Sequence, residues 1–260
     1  MIFLEYAEHG DLQNIINYYT LNKNFNIPSD FEDKRYGYTG YIFDRAAMFG
    51  HLNIIKWLDQ NTQEQCTSYA FDMAAKNGHI EVVKWLHENT KEGSVLGAMG
   101  AASSGHLDIV MYLSDQGYSM SSSIKYAIIN GHLDIVKWFF KRYPNKQHLE
   151  WRAMNTASHY GHLEIVKWLQ ENIEYSDRNI SQAIFWAGTT EVLRFLYNNY
   201  KHLVTKVNDN TYEKLLPLIQ EDFIKKFEKI EKENIVREFL SKKLVYHPSS
   251  CYMKRIVDNF

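Results

Sequence analysis

Five histidines recur at equivalent places in the chain, each directly after a glycine: His51, His79, His106, His132 and His162. Imidazole is a common metal ligand, but a zinc site needs its nitrogens within about 2.1 Å of one ion. Packed helices lie roughly 8–10 Å apart, so histidines on successive helices are too widely spaced to share an ion. The pattern favours histidines at helix starts, and we expect no metal and no cofactor.

An aromatic side chain recurs seven residues after each of six glycines and is a second candidate for chemistry. Rings at this spacing could form a stacking platform for a base or a cofactor. Their fixed position beside a Leu or Phe favours buried core packing between neighbouring repeats instead. These residues are Trp57, Trp85, Tyr112, Trp138, Trp168 and Phe195.

Catalytic motifs do not stand out in the sequence. It has no Gly-rich phosphate loop, no Gly-x-Ser-x-Gly and no His-Glu-x-x-His, the patterns that carry phosphate binding, acyl transfer and zinc hydrolysis. We therefore expect a protein that is not an enzyme.

The histidines and the aromatic residues belong to one nonamer, whose clearest form is Gly161-His-Leu-Glu-Ile-Val-Lys-Trp-Leu169. Four close copies precede it, and a weaker copy follows at Gly188. The glycines stand 28, 27, 26, 30 and 27 residues apart, which indicates a repeat protein. They are Gly50, Gly78, Gly105, Gly131, Gly161 and Gly188.

Each residue type in the repeat has a mechanical reason. Glycine supplies the left-handed conformation that ends a first helix, and the acid three residues later suits the first turn of a second helix. The apolar residues at +2, +4, +5, +7 and +8 from the glycine form one wide face. Small residues before the glycine let the helices approach closely. They are Ala46, Ala47, Ala74, Ala75, Ala101, Ala102, Ala127 and Ala157.

This pattern resembles the ankyrin repeat from about Tyr41 to Tyr200, and the nonamer is most similar to ankyrin repeats of giant DNA viruses of amoebae. The resemblance implies an all-α, ankyrin-type solenoid of about six to seven helix–turn–helix repeats. It also implies a non-catalytic scaffold or adaptor that binds another protein, a host protein for a viral source. The Thr-Pro-Leu-His start is missing and the repeats are shorter than the usual ~33 residues, so we expect reduced β-hairpin fingers.

The two ends of the chain depart from the regular repeat. Asn208–Asn210 predicts a helix start. Apolar residues from Phe223 to Leu240 then predict a long amphipathic helix, and Pro217 limits how far it extends backwards. Residues 251–260 predict a last short helix after a turn at 247–250. The predicted division is a degenerate capping repeat with a polar insertion (1–36), the repeat stack (37–200) and a C-terminal helical cap or docking segment (201–260). The viral resemblance implies, as an alternative, that this last segment recruits a ubiquitin ligase.

Composition excludes several classes of function. The chain has 29 basic and 31 acidic residues, so it lacks the excess positive charge that nucleic-acid binding uses. No run of about 18 apolar residues predicts a membrane span, and the N-terminus does not read as a signal peptide. Cys66 and Cys251 form no disulfide or zinc pattern. We expect an intracellular, cytoplasmic and monomeric protein.

The residue two places before each glycine changes from copy to copy while the frame around it repeats. Variable positions in a rigid frame can determine specificity, so we expect this −2 position to contact a protein partner. A tolerant surface is the alternative for these residues, and self-assembly is the alternative function. The five candidates are Met48, Lys76, Ser103, Ile129 and His159.

The proposed core packing of the aromatic residues predicts a large loss of stability when one is truncated. Trp85→Ala should lower the free energy of unfolding by about 3–5 kcal/mol, as other large core truncations do. Chemical denaturation measures this value, and a loss below about 1 kcal/mol would place the ring on the surface.

Overall fold

Antiparallel pairs of short helices make up most of the chain in the computed structural model, which describes residues 2–21, 32–33, 38–39, 42–62, 66–90, 93–144, 147–204 and 208–231. Contacts divide the chain into two units, Met1–Tyr143 and Pro144–Phe260. The described helices of the first unit are α1 (Ile2–His9), α2 (Leu12–Leu21), α3 (Ile42–Met48), α4 (Leu52–Asn61), α5 (Ser68–Lys76), α6 (Ile80–Thr90), α7 (Val95–Ser104), α8 (Leu107–Asp115), α9 (Ser123–Ile129) and α10 (Leu133–Arg142). Those of the second unit are α11 (Gln147–Tyr160), α12 (Leu163–Asn172), α13 (Asp177–Trp186), α14 (Thr190–Asn199) and α15 (Asp209–Glu231).

The predicted all-α stack of helix pairs is confirmed. Each odd-numbered helix from α1 to α13 is the first helix of a pair, and the even-numbered helix after it is the second. Within each unit, every first helix packs on the first helix of the next pair. The boundaries predicted near residues 36 and 200 stay predictions, since the contacts mark a division only at Tyr143.

Small residues lie on the packed side of the first helices, where the sequence predicts a close approach of the two antiparallel helices of each pair. The eight alanines that precede the repeat glycines are all 0% exposed. Side chains this short leave the helix backbones close to each other, and the dispersion contacts between them are correspondingly dense.

The second helices supply most of the remaining core. In α4, α6, α8, α10 and α12, the residues at +4, +5 and +8 from the glycine are at most 2% exposed, which confirms these positions of the predicted apolar face. They are Ile54, Ile55, Leu58, Val82, Val83, Leu86, Ile109, Val110, Leu113, Ile135, Val136, Phe139, Ile165, Val166 and Leu169.

Carboxylates of the preceding repeat fix the start of two first helices. The backbone N–H and the hydroxyl of Thr67 donate to the two oxygens of buried Asp44, at 3.0 and 2.7 Å. Thr67 in turn accepts from Tyr69 N and caps α5. Ser94 donates to Asp72 at 2.5 Å and caps α7. A cap that also binds the preceding repeat joins helix initiation to stacking.

Helix α15 covers the end of the second unit by packing on α13 and α14. Its inner residues Tyr212, Leu215, Leu218 and Ile219 are buried. The ammonium of Lys214 donates to the carbonyl oxygens of Phe185 and Ala187, at 2.8 and 2.6 Å. A cation at this place satisfies carbonyls that the end of α13 leaves without helical partners.

Polar contacts on the outer side of α15 fix it against α14. Arg194 pairs with Glu221 at 2.8 Å, and the Tyr197 hydroxyl donates to Asp222 at 3.1 Å. Lys201 pairs with the same Asp222 carboxylate. Burial raises the pKa of Tyr197, and the neighbouring Asp222 raises it further, so this hydroxyl remains a donor.

The prediction that Pro217 limits the long helix is wrong, because α15 runs from Asp209 to Glu231 with Pro217 inside it. The start predicted at Asn208 is confirmed, since its side chain accepts from Thr211 N at 2.9 Å. Proline removes one helical hydrogen bond, but buried Leu215 and Leu218 hold the helix in place on either side. The turn predicted at 247–250 and the helix at 251–260 lie outside the described residues.

One short strand pair lies between α2 and α3, across the predicted end of the polar insertion at residue 36. Strand β1 (Glu32–Asp33) pairs antiparallel with β2 (Tyr38–Thr39), and Glu32 lies opposite Thr39. The two connectors described in full, residues 116–122 and 173–176, contain no strand. In these two connectors plain loops thus replace hairpin fingers, as predicted.

Candidate functional site

A glycine in the left-handed conformation makes the turn inside six of the described helix pairs, including Gly10 between α1 and α2. Gly50, Gly78, Gly105, Gly131 and Gly161 have φ between 77° and 86°, as predicted. The N–H of the following histidine then donates to the alanine carbonyl five residues earlier, at 2.9 Å in every copy. This is the Schellman arrangement, which satisfies a carbonyl at the end of the first helix.

The sixth predicted turn is different, and the expectation of a left-handed glycine at Gly188 is wrong. The φ of Gly188 lies outside that region, and α13 ends at Trp186 with Ala187 as its C-cap. Gly188 N donates to Ser158 O at 2.8 Å. A Cβ on Gly188 would overlap the carbonyl oxygen of His159, so a close backbone approach requires glycine here.

Histidine rings join consecutive repeats of the first unit through what we term the histidine–glycine contact. Each ring packs against the glycine of the preceding repeat, and its Nε2 donates to the carbonyl two residues before that glycine. A carbonyl only accepts, so Nε2 carries the proton. Nε2 of His51, His79, His106 and His132 lies 2.8, 3.0, 3.0 and 2.9 Å from the carbonyl oxygens of Glu8, Met48, Lys76 and Ser103.

No residue larger than glycine fits at the positions against which these rings pack. A Cβ on Gly78 would stand 2.6 Å from the ring of His106, and one on Gly105 would stand 2.7 Å from His132. The same is true at Gly10, where the distance to His51 would be 2.8 Å. Glycine is therefore needed both for its conformation and for its missing side chain.

The last repeat step uses a threonine in place of a histidine. The Thr189 side chain lies against Gly161. Its hydroxyl accepts from Val192 N at 3.4 Å and caps α14. Thr189 thus starts its own helix but has no ring that could donate to the preceding repeat.

The five −2 residues all lie in the last turn of a first helix. Lys76 and His159 are exposed, whereas Met48, Ser103 and Ile129 are partly buried. Ser103 accepts from Asn130 Nδ2 at 3.1 Å. Three of their backbone carbonyls accept from histidine. The sequence could not predict this, because every residue type has a backbone carbonyl.

The expectation that the six repeated aromatic side chains are buried is too strong. All six are only partly buried. Trp57 meets Tyr19 with ring centroids 5.3 Å apart, and Trp85 meets Phe43 at 6.2 Å. Leu86, beside Trp85, is 0% exposed. Because Trp85 is only partly buried, we expect Trp85→Ala to lower the free energy of unfolding by less than truncation of a fully buried aromatic side chain does.

Comparison with known families identifies this arrangement of helix pairs. The description "Ankyrin repeats (many copies)" matches residues 43–87, and "Ankyrin repeats (3 copies)" matches residues 124–209. Together these segments cover 131 of the 260 residues, just over half of the chain. The chain belongs to the ankyrin-repeat family. Ankyrin repeats are generally modules for protein–protein interaction. No curated protein matches the sequence.

Asparagine side chains close the second helix of four ankyrin repeats. Each Nδ2 donates to the carbonyl of the aromatic residue four positions earlier, at 2.8–2.9 Å, and so satisfies one terminal carbonyl. Sequence reasoning missed this contact, although the signal was an asparagine in register with the nonamer. The residues are Asn61, Asn89, Asn172 and Asn199.

The described part of this ankyrin stack contains no group of three or more His, Cys, Asp or Glu side chains that could hold a metal ion. The repeated histidines of the first unit bind separate carbonyls instead. Among the described helices, none combines the length and apolarity that a membrane crossing requires.

The histidine–glycine contact predicts unequal costs for two Gly→Ala changes. Gly50 and Gly117 have similar φ values, 81° and 88°. A Cβ at Gly50 would overlap His79, whereas a Cβ at Gly117 would meet no atom of the described residues within 4 Å, apart from those adjacent in the chain. Gly117→Ala should cost only the left-handed strain, about 1–2 kcal/mol. Gly50→Ala should cost at least about 1 kcal/mol more, through overpacking. Urea denaturation measures both, and equal losses would contradict the contact.

A double-mutant cycle isolates the ring. His79→Ala removes the imidazole that a Cβ at Gly50 would overlap. In that background, Gly50→Ala should cost no more than Gly117→Ala does, because only conformational strain remains. An unchanged cost would mean that the ring does not restrict this position.

The same contact predicts a dependence of stability on pH. Burial is the largest cause and lowers the pKa of His79 below 6.5; the hydrogen bond to Met48 raises it, and neighbouring His51 and His106 lower it. The unfolded chain therefore binds this proton more readily. The contribution of His79 is fully present above pH 6.5 and is lost as the pH falls below 6.5 and through the lower pKa of the folded state.

We expect the urea midpoint to be lower at about pH 5.5 than at about pH 7.5. His79→Gln, which keeps a donor but does not titrate, should reduce this difference. Identical pH dependence of the wild type and the variant would show that His79 does not contribute.

Proposed function

We propose that this chain is a non-catalytic scaffold that binds a protein partner through the −2 residues of its first helices. One observation carries the proposal: backbone and ring contacts repeat from copy to copy, while the −2 side chains are chemically unlike one another. They are Met48, Lys76, Ser103, Ile129 and His159.

The framework supports binding because it fixes the −2 backbone before a partner arrives. The carbonyls of Met48, Lys76 and Ser103 are each held by a histidine of the next repeat. A surface ordered in this way loses little conformational entropy on association, which favours affinity. Repeat stacks commonly bind through extended surfaces of this kind.

We propose a host-cell protein as the partner, since the nonamer resembles repeats of giant-virus ankyrin proteins. For residues 201–260 we favour a capping role over recruitment of a ubiquitin ligase. The described part supports this choice, because α15 buries Tyr212, Leu215, Leu218 and Ile219 within the second unit.

The test combines partner capture with a matched pair of variants. Proximity labelling or pull-down identifies the partner, and its affinity is then measured for the triple variant Lys76→Glu, Ile129→Ser, His159→Glu. We expect binding at least about tenfold weaker, since interface residues that matter cost more than about 1 kcal/mol each. The control is Lys56→Glu, Lys137→Glu, Glu191→Lys, on exposed positions of second helices.

Unchanged affinity of the first triple variant, or equal loss in the control, would contradict the proposed surface. Light scattering of the purified chain tests the alternative of self-assembly. A monomer is the expected result, and a defined homo-oligomer would favour assembly over an adaptor.

A further inference from the structure

Four aromatic rings form an exposed cluster at one end of the first helices of the second unit. His159 and Tyr160 end α11, and Phe185 and Trp186 end α13. The centroid of the His159 ring lies 5.0 Å from that of Tyr160 and 5.8 Å from that of Trp186, and Phe185 and Trp186 are 5.1 Å apart. All three pairs meet edge to face, at 82–90°.

This aromatic cluster differs from the core because its rings face solvent. Tyr160 and Trp186 are each 49% exposed, and Phe185 is 38% exposed. Clustered exposed aromatic side chains of this kind mark interaction sites more often than isolated ones do. The cluster also includes one of the proposed binding residues, since His159 is a −2 residue, and Trp186 holds the same position before Gly188.

The helices beneath the cluster hold its rings in place. Ala157, Ala183 and Ile184 are at most 1% exposed between and around α11 and α13. One helical turn before His159 and Trp186, Asn155 donates to Gln182 across the two helices at 3.4 Å. Rings carried by packed helices lose little freedom on binding.

The rings of this cluster can attract a cation. The face of an aromatic ring carries negative potential and attracts a cation within about 6 Å of its centroid, most strongly for Trp. The terminal carbonyls of α13 are already occupied, since Phe185 and Ala187 accept from the ammonium of Lys214. The attraction for a ligand cation therefore comes from the ring faces.

We infer that the aromatic cluster of His159, Tyr160, Phe185 and Trp186 binds an arginine side chain presented by a protein partner. The inference rests on the proposed function, of which it specifies the partner chemistry. Arginine fits better than lysine for two reasons. Its planar guanidinium stacks on aromatic faces, and its delocalised, weakly hydrated charge is easier to bring near the Lys214 ammonium.

A pair of short peptides tests this chemistry with the full-length chain. The probe is a labelled, end-blocked Gly-Arg-Gly-Arg-Gly peptide, and its match carries citrulline, a neutral isostere, in place of arginine. Fluorescence anisotropy gives the two dissociation constants. The arginine peptide should bind at least about twofold more tightly, the lower range for an exposed cation–π contact.

Protein variants locate the binding site on the cluster. Trp186→Leu and Tyr160→Leu should each weaken binding of the arginine peptide by about two- to fivefold, whereas Trp186→Phe should retain most of it. Phe49→Leu is the control, because Phe49 has the same position relative to Gly50 as Tyr160 has to Gly161. Circular dichroism melts confirm that each variant is folded.

Several results would overturn the inference: no binding of the arginine peptide, equal binding of the citrulline peptide, or equal loss in Phe49→Leu. Self-association of the chain that Trp186→Leu abolishes would also overturn it, since the cluster would then bind a second copy. Failure of this inference can be distinguished from failure of the proposed function. If a captured partner loses affinity when Lys76 and Ile129 are substituted but not when Trp186 is, the inference is wrong and the proposed scaffold function stands.

Discussion

The contact between a histidine ring and the bare Cα of a glycine one repeat earlier is the interaction on which the first unit depends. It sets two demands on one residue, a left-handed backbone and the absence of Cβ, and only glycine meets both. The same ring donates to a carbonyl at the end of the preceding first helix, which has no hydrogen-bond partner within that helix. One side chain thereby stands at the start of its own second helix and helps to close the previous repeat, which couples local structure to stacking.

Much of the fold follows from periodicity, because a repeated position has a repeated environment. The buried alanines, the core residues at +4, +5 and +8, and five of the six turns could be predicted in this way. The turn at Gly188 could not, since its glycine is required by the path of another segment, near His159. Pro217 was misjudged because propensity within a helix is weaker than the burial of Leu215 and Leu218 on either side.

The candidate site was only partly accessible to sequence reasoning. Variation at the −2 position can be read from the internal copies, but the acceptor role of its carbonyl cannot, because every residue type carries one. The extent to which Trp85 is covered depends on Phe43 and its surroundings one repeat earlier, which no local pattern encodes. Uniform backbone contacts with unlike side chains at the edge nevertheless suit a surface for recognition better than a cavity for reaction.

The three repeats from α3 to α8 each offer a glycine to the next repeat and contribute a histidine to the preceding one, so their two faces are alike from copy to copy. A duplicated gene segment of one period would therefore enter this part of the array with its interfaces already formed. A repeat could not be inserted in this way at Thr189, because threonine has no ring that could bind the preceding repeat beside Gly161. Copy number can thus change within the histidine-bearing part of the chain, whereas an extension at the threonine step would need a newly evolved junction.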